Sequence, residues 1–252
     1  MTDIERLVRS NLKDNLIIIT FYNYNYRNLA EVWCQEMEKI GIKNYLIIAS
    51  EESAYEALKD KGFNLGLRVM TEPNFWTYEI TVIKNIFDYG VDVVHSDLDA
   101  IWKKDPTPFM DDTSVDLYFS QAKTFPRDVF DKIGFCMCYG FWFMRHNERT
   151  QRLFDEWVPH SFKTFDHQMS INRMLMDTKW DKEGIEGIKH NNFTYWKENI
   201  VGYNEKYDIK VVLLPMPQVQ REYLGPDALI YHLSAEKCEA EKFKVFKKYN
   251  IL

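Results

Sequence analysis

Val91-Asp92-Val93-Val94-His95-Ser96-Asp97-Leu98-Asp99-Ala100-Ile101-Trp102 is the stretch on which the reading of this chain turns. A β-branched run reads as a buried strand and delivers two aspartates spaced i, i+2, followed by another apolar pair. In extended backbone, i and i+2 project to one side. Two carboxylates a few ångströms apart repel, so one must take a proton or a cation must bridge them. A hard divalent cation with oxygen ligands resolves the conflict and leaves coordination positions for diphosphate oxygens. A solvated turn with accidental acids is the plainer reading, but apolar residues flank the pair on both sides and uncompensated buried charge is costly.

Working outward, the first half of the chain alternates. Leu16 to Phe21, Tyr45 to Ala49, Leu67 to Met70 and Val91 to His95 read as strands. Arg27 to Ile40, Ser53 to Lys61 and Trp76 to Tyr89 carry apolar residues at helical spacing, each followed closely by a glycine. Strand and helix in alternation with short links predict an α/β fold with a mostly parallel sheet covered on both faces. Ligands of such sheets bind beyond the carboxyl ends of the strands. The second half is less regular: strands are expected over Val115 to Ser120, Ile133 to Met144, Ile209 to Leu214 and Ala228 to His232. Helices are expected over Asn147 to Trp157, Asp166 to Met176 and Glu236 to Tyr249. The 252 residues are read as one domain with two halves, residues 1–105 and 106–252.

The net charge of −6 argues against wrapping a polyanion. Lys242, Lys244, Lys247 and Lys248, interleaved with Phe243, Val245 and Phe246, read as a solvated helix face. Cys34, Cys136, Cys138 and Cys238 form no C-x-x-C pair and are expected as reduced thiols. Residues 1–15 lack an apolar leader core, and no run approaches the roughly 18 apolar residues that cross a bilayer, so a cytoplasmic location is the expectation. For the same reason the sequon Asn192-Phe193-Thr194 carries little weight.

An apolar strand followed by Asp-x-Asp also opens the site of haloacid-dehalogenase-like phosphatases, where Asp97 would be the nucleophile. Against that reading, the motif lies far from the chain start, Ile101 and Trp102 stand where a small turn is usual, and no later pair of aspartates closes a metal site. A sugar nucleotidyltransferase would carry a glycine-rich phosphate loop near its start, and Tyr22 to Tyr26 has no glycine. A non-catalytic carbohydrate-binding protein is the remaining alternative.

Lys84, Gly90 to Val94, Ser96 to Trp102 and Asp105-Pro106 together resemble the nucleotide-diphospho-sugar transferase group, and within it the family-77-type glycosyltransferases such as plant pectin xylosyltransferases. Gly134 to Arg145, then Glu148-Arg149-Thr150 and Phe154 to Trp157, are similar to the family's acceptor-side strand and helix. Asp166-His167-Gln168, with Asn172 and Leu175, is similar to its Asp-Gln motif, and Leu229 to His232 with Lys237 to its C-terminal strand. Where the family often reads Asn-x-Gly, this chain has Cys138-Tyr139-Gly140.

The resemblance implies a GT-A fold, a UDP-sugar donor, a glycan or glycoconjugate acceptor, Mn²⁺ or Mg²⁺, and transfer with retention of configuration. It implies metal ligation by Asp97, Asp99 and His232, with Asp97 also near the donor. Lys237 would meet the diphosphate and Lys84 the donor sugar or phosphate. The loop after the first strand, with Thr20, Tyr22 and Asn23, is a candidate for the base. Asp166 and Gln168 are candidates for the far face of the sugar at an oxocarbenium-like transition state, although Asp166 also reads as a helix N-cap. Trp142, Tyr195 and Trp196 are candidates for stacking on an acceptor.

Overall fold

The computed structural model describes residues 3–190, 193–233 and 238–252. In chain order the elements are α1 (Asp3–Ser10), β1 (Leu16–Tyr22), α2 (Arg27–Lys39), β2 (Tyr45–Ala49), α3 (Glu52–Leu58), β3 (Leu65–Leu67), α4 (Phe75–Phe87), β4 (Asp92–Ser96) and β5 (Ile101–Trp102). They continue with β6 (Leu117–Ala122), α5 (Arg127–Ile133), β7 (Cys136–Met144), α6 (Glu148–Thr164), α7 (His167–Met174), β8 (Lys179–Asp181), β9 (Gly187–His190) and β10 (Phe193–Trp196). The last are β11 (Ile200–Asn204), β12 (Ile209–Leu213), β13 (Val219–Gln220), β14 (Ile230–Tyr231) and α8 (Glu239–Lys248).

Nine strands form the central sheet in the order β3-β2-β1-β4-β7-β6-β12-β11-β8. The first four are parallel. β7 runs antiparallel to both β4 and β6, and β12 runs parallel to β6. The carboxyl ends of β1, β4, β6 and β12 therefore share one edge. The chain leaves β1 for β2 and β3 on one side and returns to β4 on the other, which opens a crevice beyond β1 and β4.

Both faces are packed, and β1 shows why its sequence is apolar without a break. Ile18 and Tyr22 belong to the core under α2, α3 and α8, which includes Trp33, Leu58 and Phe246. The alternate residues Ile17, Ile19 and Phe21 belong to the core under α4, α6 and α7, which includes Ile83, Trp157 and Ile171. Helix α4 begins with a capping box in which the Asn74 side chain accepts from Thr77 N at 2.9 Å. It is closed by Gly90 at φ +82, a left-handed position that suits glycine.

Several boundaries differ from the sequence reading. The third strand falls at Leu65–Leu67, not Leu67 to Met70, because Arg68 and Met70 already bond irregularly to Ala49 and Ser50. Ile133 ends α5, so β7 begins only at Cys136. Helix α6 runs through Pro159 to Thr164, held by buried Trp157 and Ser161 on either side of the proline. Residues 179–190 and 193–204, where the sequence predicts no element, carry β8 to β11. These strands are only three to five residues long, too short for a period to stand out, and the clearest alternation is in β11, where Ile200, Gly202 and Asn204 are buried and Val201 and Tyr203 are not.

Trp157 sits fully enclosed among Phe119, Tyr139, Trp142 and Phe154, and its Nε1 donates to His167 O at 3.0 Å. Trp157→Ala removes both the aromatic volume and the tie between α6 and α7. It is expected to cost about 3–5 kcal/mol in urea denaturation; a loss below about 1 kcal/mol would show that this cluster does not hold the helical face.

Candidate active site

Strand β4 ends at Ser96, and Asp97 and Asp99 occupy the turn that follows. Two local features fix the turn: Ala100 N donates to Asp97 O at 3.0 Å, and Asp97 N donates to Gly140 O at 2.8 Å. Next comes β5, whose two residues pair antiparallel with Ile230 and Tyr231 of β14. That pairing carries the following residue, His232, to the two acids. Its Nε2 lies 3.3 Å from Asp97 Oδ2 and 3.3 Å from Asp99 Oδ1. Lys242 of α8 forms an ion pair with Asp99. Helix α8 is anchored by Glu239, whose carboxylate accepts from Asn28 Nδ2 and from Leu29 N in the first turn of α2, both at 2.8 Å.

Room for this cluster is made by β7. Its pairing with β6 jumps from Phe119↔Trp142 to Ser120↔Cys138, so Tyr139, Gly140 and Phe141 form a bulge. A side chain at Gly140 would overlap the His232 ring and the Asp97 carboxylate, with Asp97 Cγ at 2.8 Å from its Cβ.

Burial opposes ionisation of both acids, but His232 and His95 hold Asp97 well below the usual carboxylate range, and His232 and Lys242 likewise lower Asp99. Burial and Arg221 push His232 down, yet Asp99, Cys138 and the bond to Asp97 outweigh them and raise it to about 10. The cluster thus demands positive charge between the carboxylates. Two carboxylates and an imidazole, with ligand atoms within 4.8 Å of one another, fit a divalent cation.

The other Asp97 oxygen faces a second group. His95 Nε2 is 3.1 Å from Asp97 Oδ1, and Glu79 of α4 joins them within 4.8 Å. Glu79 Oε2 is 3.0 Å from His167 Nε2, and the His167 ring stacks on Tyr139 with centroids 3.2 Å apart. Burial and the neighbouring Asp97 and Asp99 raise Glu79 well above the usual carboxylate range, while burial and His95 keep His167 low.

Glu79, Asp97, Asp99, His167, His232 and Lys242 line a cavity of about 810 Å³ at the carboxyl ends of β1 and β4, within the size range of small-molecule sites, with His95 buried behind them. Tyr22 and Asn23 line it, the former with its hydroxyl bonded to Ala54 O at 2.8 Å, the latter with its side chain accepting from Asn25 N at 3.0 Å. Asp166 and Gln168 also line it. Phe165 takes a left-handed conformation (φ 54) at the end of α6 and turns the chain so that Asp166 caps α7, accepting from Met169 N at 2.7 Å. Gln168 accepts from Tyr139 N and donates to Phe125 O, both at 3.0 Å.

Other expectations are corrected. Thr20 is fully buried inside β1 and does not line the cavity. Lys84 lies beyond the cavity-lining part of α4 and pairs with Asp88 at 2.5 Å and Asp155 at 2.9 Å; the acid Glu79 is what this helix turns to the site. Lys237 lies outside the described residues. Trp142 is buried in the core, and Tyr195 and Trp196 belong to β10, away from the cavity lining. The exposed aromatics at the cavity are Trp76 and Phe125, with Phe165 tied to Asn74 of the α4 cap at 3.3 Å. Lys242 is no solvated residue, because it shares its helix face with Val245 and Phe246, which pack against the core.

Glu79, His95, His167, Arg221 and Lys242 are site residues that the motif reading passed over. For Glu79 a signal existed: its i±3 and i±4 neighbours are Phe75, Trp76, Val82 and Ile83, an acid on an apolar face.

A family model described as nucleotide-diphospho-sugar transferase matches residues 40–220. The chain is 25% identical over 233 residues to the arabinosyltransferase XEG113 of Arabidopsis thaliana, covering 84% of this chain and 34% of that protein. It thus spans about a third of the length of this curated relative. Among solved structures, an active-site mutant of LgtC overlaps 92% of this chain and 94% of its own, at TM-score 0.50 and 12% identity. The galactosyltransferase LgtC with donor and acceptor sugar analogues overlaps 62% and 69%, at TM-score 0.45 and 14% identity. The glycosyltransferase GlyE of Streptococcus pneumoniae TIGR4 overlaps 64% and 43%, at TM-score 0.46 and 12% identity. The nearly full-length overlap with LgtC shows a GT-A fold.

Gly140→Ala is expected to force His232 or Asp97 aside and to cost about 1–3 kcal/mol of stability in denaturant unfolding, the usual penalty of overpacking. Adding His232→Ala should recover part of that loss, a coupling readable in a double-mutant cycle. Strictly additive effects would show that the two residues do not share this space.

Proposed function

This chain belongs to the nucleotide-diphospho-sugar transferase family, and we propose that it is a divalent-cation-dependent glycosyltransferase that moves a sugar from a UDP-sugar to a hydroxyl of a glycan or glycoconjugate, with retention of configuration. The observation that carries this reading is the convergence of Asp97, Asp99 and His232 in a cavity that also receives Arg221 and Lys242. That donor set suits a cation with phosphate oxygens as its other ligands.

Transfer requires that the leaving diphosphate be neutralised, the sugar be placed, and the acceptor hydroxyl be aimed at the anomeric carbon. Mn²⁺ or Mg²⁺ held by Asp97, Asp99 and His232 supplies a Lewis acid for the leaving group when bound. Lys242 and Arg221 add positive charge on the same side of the cavity, where negative charge grows as the glycosidic bond breaks. Tyr22 and Asn23 line the part of the cavity that would take the base, and Asn23 offers it an amide. Asp166 and Gln168, fixed by backbone bonds, face the sugar. In the retaining course, the acceptor oxygen forms its bond on the face the diphosphate leaves, and the acceptor proton passes to a phosphate oxygen. No side-chain nucleophile is then needed. Trp76 and Phe125 give the cavity mouth aromatic faces on which an acceptor saccharide can stack. The name of the Arabidopsis relative puts UDP-arabinose in the panel of donors to be tried.

Calorimetry with UDP is the test. Wild type should bind UDP in Mn²⁺ and lose it in EDTA, Asp99→Asn should weaken that binding by about tenfold or more, and Lys84→Ala should leave it unchanged. One UDP-sugar should be hydrolysed slowly without acceptor. UDP binding indifferent to metal and to Asp99→Asn, with every UDP-sugar left intact, would overturn the reading.

A further inference from the structure

The cavity is electrically lopsided. Lys242 meets Asp99, and Arg221 donates to His232 O at 2.8 Å, so both cationic side chains stand on the Asp99–His232 side. Across Asp97, the side chains are His95, His167 and Glu79. Among the described lining residues, no lysine or arginine stands on that side. A sugar linked to a diphosphate held by the cationic side must project away from it by one glycosidic bond, and Glu79 is the lining acid that is neither a helix cap nor a member of the Asp97–Asp99–His232 set.

Glu79 is also built to hold its place. It is 6% exposed, and one carboxyl oxygen is fixed by His167 at 3.0 Å. The His167 ring is in turn clamped flat on Tyr139, and Tyr139 N is bonded to Gln168. A buried carboxyl group that is oriented by a packed histidine and lines the cavity is a preorganised acceptor for hydroxyl hydrogens.

We propose that Glu79 receives hydroxyl groups of the transferred sugar and restricts the donor to uncharged sugars, discriminating against sugars that carry a carboxylate. The inference rests on the glycosyltransferase reading and adds the class of the donor sugar. The hydroxyl groups of a neutral hexose or pentose donate to Glu79 at no electrostatic cost. A uronic acid carries its own carboxylate into a pocket walled by Glu79 and Asp97, where it meets like charge or an acid group and, among the described lining residues, no lysine or arginine. Specificity of this kind comes from penalising the wrong ligand as much as from holding the right one.

The test is calorimetry in Mn²⁺ with UDP, UDP-glucose, UDP-galactose, UDP-xylose, UDP-arabinose and UDP-glucuronate on wild type, Glu79→Gln and Glu79→Ala, with thermal melts to confirm that each variant is folded. Wild type should bind its best neutral UDP-sugar about tenfold more tightly than UDP-glucuronate. Glu79→Ala should weaken the neutral UDP-sugar by about tenfold while UDP itself stays within about twofold. Glu79→Gln, which keeps the volume and removes the acid, should narrow the gap to UDP-glucuronate. Equal affinity of wild type for UDP-glucuronate and the neutral sugars would overturn the proposal. So would an equal loss of UDP and UDP-sugar in both variants, which would make Glu79 a support of the Asp97 cluster. Wild type that binds neither UDP nor any UDP-sugar would remove the glycosyltransferase reading and the proposal with it.

Discussion

Two carboxylates stand together where the fourth strand ends, and their mutual repulsion has to be met by positive charge. Each neighbouring element contributes to that balance. The β5–β14 pairing brings His232 between Asp97 and Asp99. The Glu239 anchor on α2 sets α8 so that Lys242 reaches Asp99. The bulge in β7 puts Gly140, the one residue type without a side chain, where the imidazole and carboxylate need the space. Asp97 divides its two oxygens between His232 and His95, so it belongs to both the Asp99–His232 group and the pocket beyond it.

The same pocket is continuous with the core. Asn172 of α7 accepts from Met137 N and donates to Met137 O, both at 2.8 Å, in the manner of a neighbouring strand. Gln168, one turn earlier, repeats the move on Tyr139 N. These bonds set the distance between α7 and β7, and through it the stacking of His167 on Tyr139 and the aim of His167 at Glu79. Buried polar groups satisfied in this way fix one arrangement, whereas the apolar contacts around Trp157 tolerate more than one. Precision of the site and stability of the helical face therefore share residues.

Much of this was legible in the amino-acid sequence, for physical reasons that differ by residue. Leu16–Tyr22 and Tyr45–Ala49 are strands buried on both faces, and unbroken apolar runs announce such strands. Asp97 and Asp99 announced themselves by charge in an apolar setting. The resemblance to nucleotide-diphospho-sugar transferases added His232, which no local pattern marks. With the family established, the phosphatase alternative for Asp97 has no footing. Lys84 lies on the right helix, but Asp88 four residues on gives it a surface partner, so its place on that helix does not bring it to the cavity. Lys242 sits in a lysine-rich stretch that suggests a solvated face, yet it shares a face with Phe246 and turns to Asp99. Glu79 and His167 meet only in the folded chain, 88 residues apart, and pairwise contacts at that distance leave no trace in spacing.

The central claim is that one divalent cation sits among Asp97, Asp99 and His232 with the donor's diphosphate as its remaining partner. Crystals grown with MnCl₂ and UDP, measured at the manganese absorption edge, test it most directly. One strong anomalous peak is expected within bonding distance of both carboxylates, His232 Nε2 and the UDP phosphates. No peak there, with the two acids turned to solvent and UDP bound elsewhere, would contradict it.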